Sequence, residues 1–309
     1  MSRRGFARLL QLQGHTLLDP KQRHGLHPLV VPLASTDGGG VLGLLQWPSR
    51  GGGQTLVRTH RQKAGDSVSA ASLNLIPCGS VLQYARRTAA EAQNDVTAAE
   101  TLIAAAEDAT VEAGGKPLAP GELAASGLKL AQFLLLRVAP FVDVWEGVAR
   151  AQLAKGDQTA ALIAAERAST SNPGWGCCMF LQAQLMASLG RREEQRDLAL
   201  AALEAPYWTL SVPLQEALNA AQVGHLENLR QLVRQMEDQV RDQQGAKPRS
   251  AEEVALLRAQ DALDDVVRTE GLWDTARPLV ASALRQAGIE EAARVAELAD
   301  DVVLDWEHA

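Results

Sequence analysis

The residue types that could act on a substrate are present, but their spacing does not suit the work. His24-Gly25-Leu26-His27 sets two imidazoles three residues apart, a spacing a metal can use. No third ligand stands nearby in sequence, and Pro28 stops a helix from aligning the pair, so both read as loop histidines. Gly38-Gly39-Gly40 and Gly51-Gly52-Gly53 are glycine triplets, yet neither leads from a strand into a helix through Lys-Ser/Thr, as a phosphate-cradling loop must. They read as hairpin tips. Asp261, Asp264 and Asp265 lie in a helical stretch, where carboxylates ordinarily form a solvated face, and nothing sets one apart as acid and another as base. Of the three cysteines, Cys177 and Cys178 are adjacent, which rarely meets disulfide geometry, and Cys78 completes no metal-ligand pattern. They read as small buried side chains in a reducing compartment. No nucleophile sits in a recognisable elbow. The sequence predicts no catalytic residue, no metal ligand and no cofactor, hence a protein that is not an enzyme.

Binding nucleic acid is a second chemistry, and it needs cations beside a stacking surface. Arg58, His60, Arg61 and Lys63 form a basic run, and Trp47 and Tyr84 supply aromatics. Charge is unevenly spread. Residues 1–90 hold eleven Lys/Arg against three Asp, a balance of +8, which leaves −15 for the rest of a chain whose net charge is −7. Such asymmetry predicts two surfaces of different sign. No RNA-binding motif accompanies the run, so Arg58, Arg61 and Lys63 stand as nucleic-acid contacts only in the subordinate reading. In the favoured one these cations solubilise a small β-module or pair with acidic helices of the same chain.

Composition indicates which elements must position these residues. A hydrophobic content of 46% can fill the interior of a 309-residue chain, while aromatics at 4% and abundant alanine favour helices packed through small side chains. From about 27 to 83, short apolar runs (Leu29–Leu33, Val41–Trp47, Gln54–Arg58) are parted by Gly and Pro clusters and predict strands, with a further strand near Ala71–Ile76. Helical periodicity starts near Ser80. Tyr84–Glu112 predicts one long helix, and Gly121–Ala139 another that ends at Pro140. No run is apolar enough to span a bilayer, since Leu128–Val144 is broken by Lys129, Arg137, Pro140 and Asp143.

Gly156, Gly190 and Gly224 then recur every 34 residues, each preceded seven residues earlier by an alanine (Ala149, Ala183, Ala217). The alanine lets two antiparallel helices approach, and the glycine closes the turn between them. The first unit carries Trp145, Ala149, Gly156, Ala161, Ala168 and Pro173, with a Lys155-Gly156-Asp157 turn and an Asn172-Pro173 exit. It resembles a tetratricopeptide repeat. Units at 142–175, 176–209 and 210–243 follow with declining regularity, and a polar insertion at 243–249 interrupts the period. Ser250 with Glu253 predicts a capping-box helix start. Gly271, Ala276 and Ala283 restore the offsets in a degenerate hairpin at 251–288, and a capping helix at 289–306 carries Glu290, Glu291, Glu297, Asp300 and Asp301 outward. The expected fold class is α+β, mainly α: a basic β-rich module over 1–83, then an acidic stack of tetratricopeptide-like hairpins wound as a solenoid over 84–309.

The resemblance implies protein binding along the first helix of each repeat, and so nominates Glu146, Arg150, Gln184 and Gln215. Relatives of that kind that hold the C-terminal carboxylate of Hsp70 or Hsp90 use Lys and Asn where this chain has Glu146, Arg150, Leu181, Ser211 and Gln215. Only Arg150 is basic, so no such clamp is expected. With 34 acidic residues against 19 basic from 91 onward, a basic or amphipathic segment of another protein is the expected ligand. The reading is a soluble, intracellular, non-enzymatic scaffold or adaptor that helps assemble or stabilise a larger complex. The alternative is an RNA-associated organellar factor using the basic N-terminal module. The first ten residues, free of acids and holding Arg4 and Arg8, resemble an organelle import sequence as well as a short basic helix of the fold, so plastid, mitochondrion and cytoplasm all remain open.

Overall fold

In the computed structural model, residues 4–47, 55–63, 70–95, 100–223, 239, 243 and 249–298 are described. Five short strands, β1 (Thr16–Leu17), β2 (Val30–Ser35), β3 (Gly40–Leu45), β4 (Thr55–His60) and β5 (Ile76–Pro77), pair antiparallel in chain order as one meander. Helices α1 (Arg4–Leu12), α2 (Ala70–Leu73), α3 (Val81–Asn94), α4 (Glu100–Glu112), α5 (Glu122–Ser126) and α6 (Leu130–Phe133) belong to the first part of the chain. A π-helical turn over 134–138 leads into α7 (Val142–Ala154), α8 (Gln158–Ser171), α9 (Gly176–Ser188), α10 (Arg192–Glu204) and α11 (Leu214–Ala221). After residue 249 come α12 (Ala251–Arg268), α13 (Trp273–Gln286) and α14 (Glu290–Ala296).

The sheet is buried on both faces, which is why its strands read as apolar runs rather than as an alternation of apolar and polar residues. Through Leu33, Leu42, Leu44 and Leu56, one face packs on Phe6, Leu9 and Leu10 of α1 and on alanines of α3 and α4. The other packs through Val30, Leu45 and Val57 on Phe180, Leu203, Trp208, Leu263, Trp273 and Val280, all beyond residue 175. Register enforces the division: Leu44 lies opposite Leu56 and Val30 opposite Leu45. The expected domain line at 83/84 falls within the first turn of α3, and apolar residues from both sides of it share these cores.

The helical hairpins form where expected. α7 packs on α8 and α9 on α10, with Ala149, Ala161, Ala168, Ala183 and Ala202 buried along the contacts. Gly156 and Gly190 close the two turns at φ +82° and +74°, in the left-handed region that a side chain disfavours. Asp157 caps α8 by accepting the Ala160 N–H at 2.9 Å. The predicted capping box of Ser250 and Glu253 opens α12, and the same device, Ser80 with Gln83, opens α3. Because Ala149 is fully buried among Ala164, Ala165, Leu181 and Leu185, Ala149→Leu should overpack that contact and cost about 1–3 kcal/mol in a denaturation experiment. An unchanged midpoint would refute the close helix approach.

Three local expectations need correcting. The long helix over Tyr84–Glu112 is two helices, α3 and α4, packed side by side: the chain leaves α3 through Asp95 in an extended conformation, so alanine-rich propensity yields to tertiary packing. The helix over Gly121–Ala139 is broken into α5, α6 and the π turn, because Gly127 adopts φ +66° between them. The strand near Ala71–Ile76 is one helical turn followed by the two-residue β5. Gly51–Gly53, Gly224, most of the third unit beyond Val223, residues 244–248 and the end of the 289–306 helix lie outside the described residues.

Candidate protein-binding face

Two of the four nominated residues share one helix face by spacing alone. Glu146 and Arg150 stand at i and i+4 on α7, and their side chains form an exposed ion pair at 2.8 Å. Arg150 also reaches across to α9, donating to Gln184 Oε1 at 3.0 Å. Arg150 and Gln184 are 34 residues apart, the period of the glycines, so equivalent positions of two successive first helices meet in space. The structure does not join Gln215 to them: its amide donates to Asn219 Oδ1 at 3.0 Å on its own helix. Leu181 is buried and offers nothing to a ligand. The face that results is polar, hydrogen-bonded and charge-balanced at Arg150.

Among the described basic residues of the first ninety positions, Arg4, Arg8, Lys21, Arg58 and Lys63 are exposed, Arg23 is buried, and Arg61, Arg86 and Arg87 are half-buried. The Arg61 guanidinium donates to the carbonyls of His24 and Gln22, pinning the loop that leads into β2. Arg87 makes a two-pronged bond to Asp143 of α7 at 2.8 and 2.7 Å and lies 4.9 Å over the Phe141 ring. The aromatics that nucleic acid would stack on are committed as well. Trp47 packs edge-on against Trp208 with centroids 5.7 Å apart, and Tyr84 packs against Phe6 and donates to Gln13. Of the three nominated cations, Arg58 on β4 and Lys63 are exposed, while Arg61 serves the fold.

A buried polar cluster escaped sequence reasoning, because its members lie some 250 positions apart. Arg277 of α13 is 5% exposed and donates to the carbonyls of Arg23, Leu26, Pro28 and Ala296 as well as to Asp274. Burial pulls its guanidinium below the ordinary arginine range, against the pull of Asp274. Asp274 also accepts the Gly25 N–H, and the hydrogen bonds and charge of Arg277 outweigh burial and leave its carboxyl below the usual range. His27 sits between the Trp208 and Trp273 rings at 4.9 and 4.8 Å, with its Nδ1 accepting from the Leu29 N–H. Burial first, and the Arg277 charge second, lower its pKa to about 3. His24, by contrast, is exposed against Asp274, so the two histidines share no ligand geometry.

The cysteines behave as buried apolar groups. Burial pushes the Cys78 thiol up to about 11, and hydrogen bonding between Cys177 and Cys178 together with burial holds the Cys177 thiol well above its ordinary range, so neither favours a thiolate at neutral pH. Among the described residues no group of three His, Cys, Asp or Glu is placed to hold a metal, and no helix is long and apolar enough to cross a membrane.

The architecture is thus a helix-rich protein built around a small antiparallel sheet. Residues 4–138 match the family described as PAB N-terminal, and residues 142–227 match the PAB middle domain. The chain is similar to these two families over consecutive stretches, and the matches correct the resemblance to tetratricopeptide repeats. The reason is physical: small residues and turn glycines at 34-residue spacing follow from any two antiparallel helices of 13 or 14 residues joined by tight turns, as α7 to α10 are. Over 285 residues, 91% of this chain and 82% of the relative, it is 27% identical to an Arabidopsis thaliana protein named Protein IN CHLOROPLAST ATPASE BIOGENESIS, chloroplastic. No solved structure matches the chain.

Proposed function

We propose that this protein is a non-enzymatic assembly factor that acts in a plastid, holding a component of an ATPase during its biogenesis through the polar face of α7 and α9. The observation that carries the reading is the end-to-end likeness to a relative whose name states chloroplast ATPase biogenesis. The site chemistry agrees with it. The exposed Arg150 bonds the half-buried Glu146 and Gln184, an arrangement suited to recognition, and Gln215 is exposed apart from them on α11. The hairpins act as a rigid stacked scaffold, and the acidic balance beyond residue 90 selects a basic or amphipathic segment.

Calorimetry with the purified soluble subunits of the plastid ATPase tests this reading. One subunit should bind, and added salt should weaken the complex. Glu146→Lys should cost about tenfold in affinity, roughly 1.4 kcal/mol, while an exposed substitution of this kind moves stability by under about 1 kcal/mol. Absence of binding to every subunit would refute the reading, and so would an affinity indifferent to both salt and Glu146→Lys.

A further inference from the structure

A half-open cavity of about 300 Å³ lies where the sheet edge, the start of α3, the chain entering α7 and the end of α8 meet. Phe141, Val142, Pro173 and Trp175 wall it, and none of its lining residues is ionisable. Two side-chain amides at this site are fixed by their own bonds. Gln83 Oε1 accepts the Ser80 N–H at 2.9 Å as half of the α3 capping box. Asn172 Nδ2 donates to the carbonyls of Pro140 and Ala168, each at 3.0 Å. Neither amide can be reversed without losing these bonds. The two amides thus offer one donor group, the Gln83 NH2, and one acceptor, Asn172 Oδ1, beside the Thr55 and Ser171 hydroxyls and the Trp175 indole of the same lining. A peptide group needs that complement, since its carbonyl accepts and its N–H donates.

The geometry points to this cavity as an anchor slot for one uncharged aromatic side chain of an extended partner segment, with the adjoining peptide group bonded to Gln83 and Asn172. An aromatic wall suits a ring, and fixed polar groups beside it orient what binds. A neutral lining leaves a charged ligand with nothing to offset its lost hydration. This cavity adjoins the Glu146 face, since Val142 stands one helical turn before Glu146 on α7, but Glu146 does not line it and the slot does not rest on its role.

The probe is N-acetyl-phenylalaninamide, titrated into the isotope-labelled full chain and followed by nuclear magnetic resonance. The Trp175 indole and the side-chain amides of Gln83 and Asn172 should shift together and saturably. N-acetyl-phenylalanine, which carries a carboxylate, should bind at least tenfold more weakly. Ser171→Phe places a ring at the cavity rim from the exposed last residue of α8 and should abolish the response. Gln83→Glu keeps the capping box but replaces the donor by a carboxylate oxygen, and should weaken binding at least fivefold. Glu146→Lys should leave the probe unaffected, so failure of the slot and failure of the proposed face are distinguishable. A missing or scattered response overturns the slot, as does equal binding of the two acetylated probes or a signal that survives both cavity variants. Toluene binding as tightly as the amide would assign the cavity to a free apolar molecule and overturn a polypeptide occupant.

Discussion

Replacing Arg277 by leucine is expected to cost about 3–5 kcal/mol of folding stability, the range for removing one member of a buried, hydrogen-bonded charged group. The guanidinium collects the carbonyls of Arg23 at 2.6 Å, Leu26 at 2.9 Å, Ala296 at 3.2 Å and Pro28 at 3.3 Å, and pairs with Asp274 at 2.6 Å. Leucine fills part of the volume but takes the donor from the Leu26, Pro28 and Ala296 carbonyls, while the Arg23 carbonyl keeps the Leu26 N–H and Asp274 the Gly25 N–H, and each buried orphan costs on the order of 1–3 kcal/mol. Arg277→Lys retains the charge but not the planar fork that serves several carbonyls at once, so it should also destabilise, though less. Arg258→Leu is the control, since Arg258 is exposed and, among the described residues, bonds Gln286 at 3.2 Å. It should stay within about 0.5 kcal/mol of the parent. Urea denaturation of the three variants decides the matter, and equal midpoints for Arg277→Leu and Arg258→Leu would sink the assignment of Arg277 as the tie between the N-terminal loop, α13 and α14.

Mild acid should destabilise the protein through His27. Burial among the Trp208 and Trp273 rings lowers its pKa to about 3 in the folded state, whereas an unperturbed histidine titrates at about 6.5. Below pH 6.5 the unfolded chain therefore binds a proton that the folded chain does not. The sign follows: the stability is fully present above pH 6.5 and is lost as pH falls from 6.5 towards 3, at about 1.4 kcal/mol per unit. Between pH 7 and pH 5 the expected loss from this one group is about 2 kcal/mol. Asp274, whose carboxyl is held low, adds a loss of the same sign only at more acid pH, within and below the ordinary carboxylate range. His27→Gln keeps an acceptor for the Leu29 N–H without a titrating ring, so its stability should vary correspondingly less between pH 7 and pH 5. Parallel pH profiles for the parent and His27→Gln would show that the ring accepts its proton in the folded state.

Much of the local structure is legible in the residues because its causes are local. Gly156 and Gly190 mark turns, since a left-handed backbone is cheapest at glycine, and both adopt it. Ser250 with Glu253 marks a helix start, since a hydroxyl and a carboxyl three residues apart satisfy free N–H groups wherever the helix lies. The strands are visible from 30 to 60 as apolar runs between turn residues. The nominated Glu146 and Arg150 meet because four residues make one helical turn. Spacing also suggested a family, and there it misled. A 34-residue period reports the length of two helices and their turns, a quantity that unrelated helical proteins share.

What only the tertiary structure decided are the contacts between residues far apart in the chain. Nothing in the sequence around Arg277 tells it from the exposed arginines of the same helices. It is tolerated in the core because the loop at 23–28 and the end of α14 deliver four carbonyls to it. The charge split between the halves predicted two surfaces, yet Arg87 and Arg61 spend their charge or their donors inside the fold, and the sheet is enclosed by helices from both ends of the chain. Local propensity reports what a segment gains by itself, while desolvating a cation or covering both faces of a sheet has to be offset by partners that folding alone brings near. The sequence by itself determined the turns, the caps and the hairpin period; the packing of distant segments determined which polar groups are buried, which remain outside, and where the neutral cavity opens.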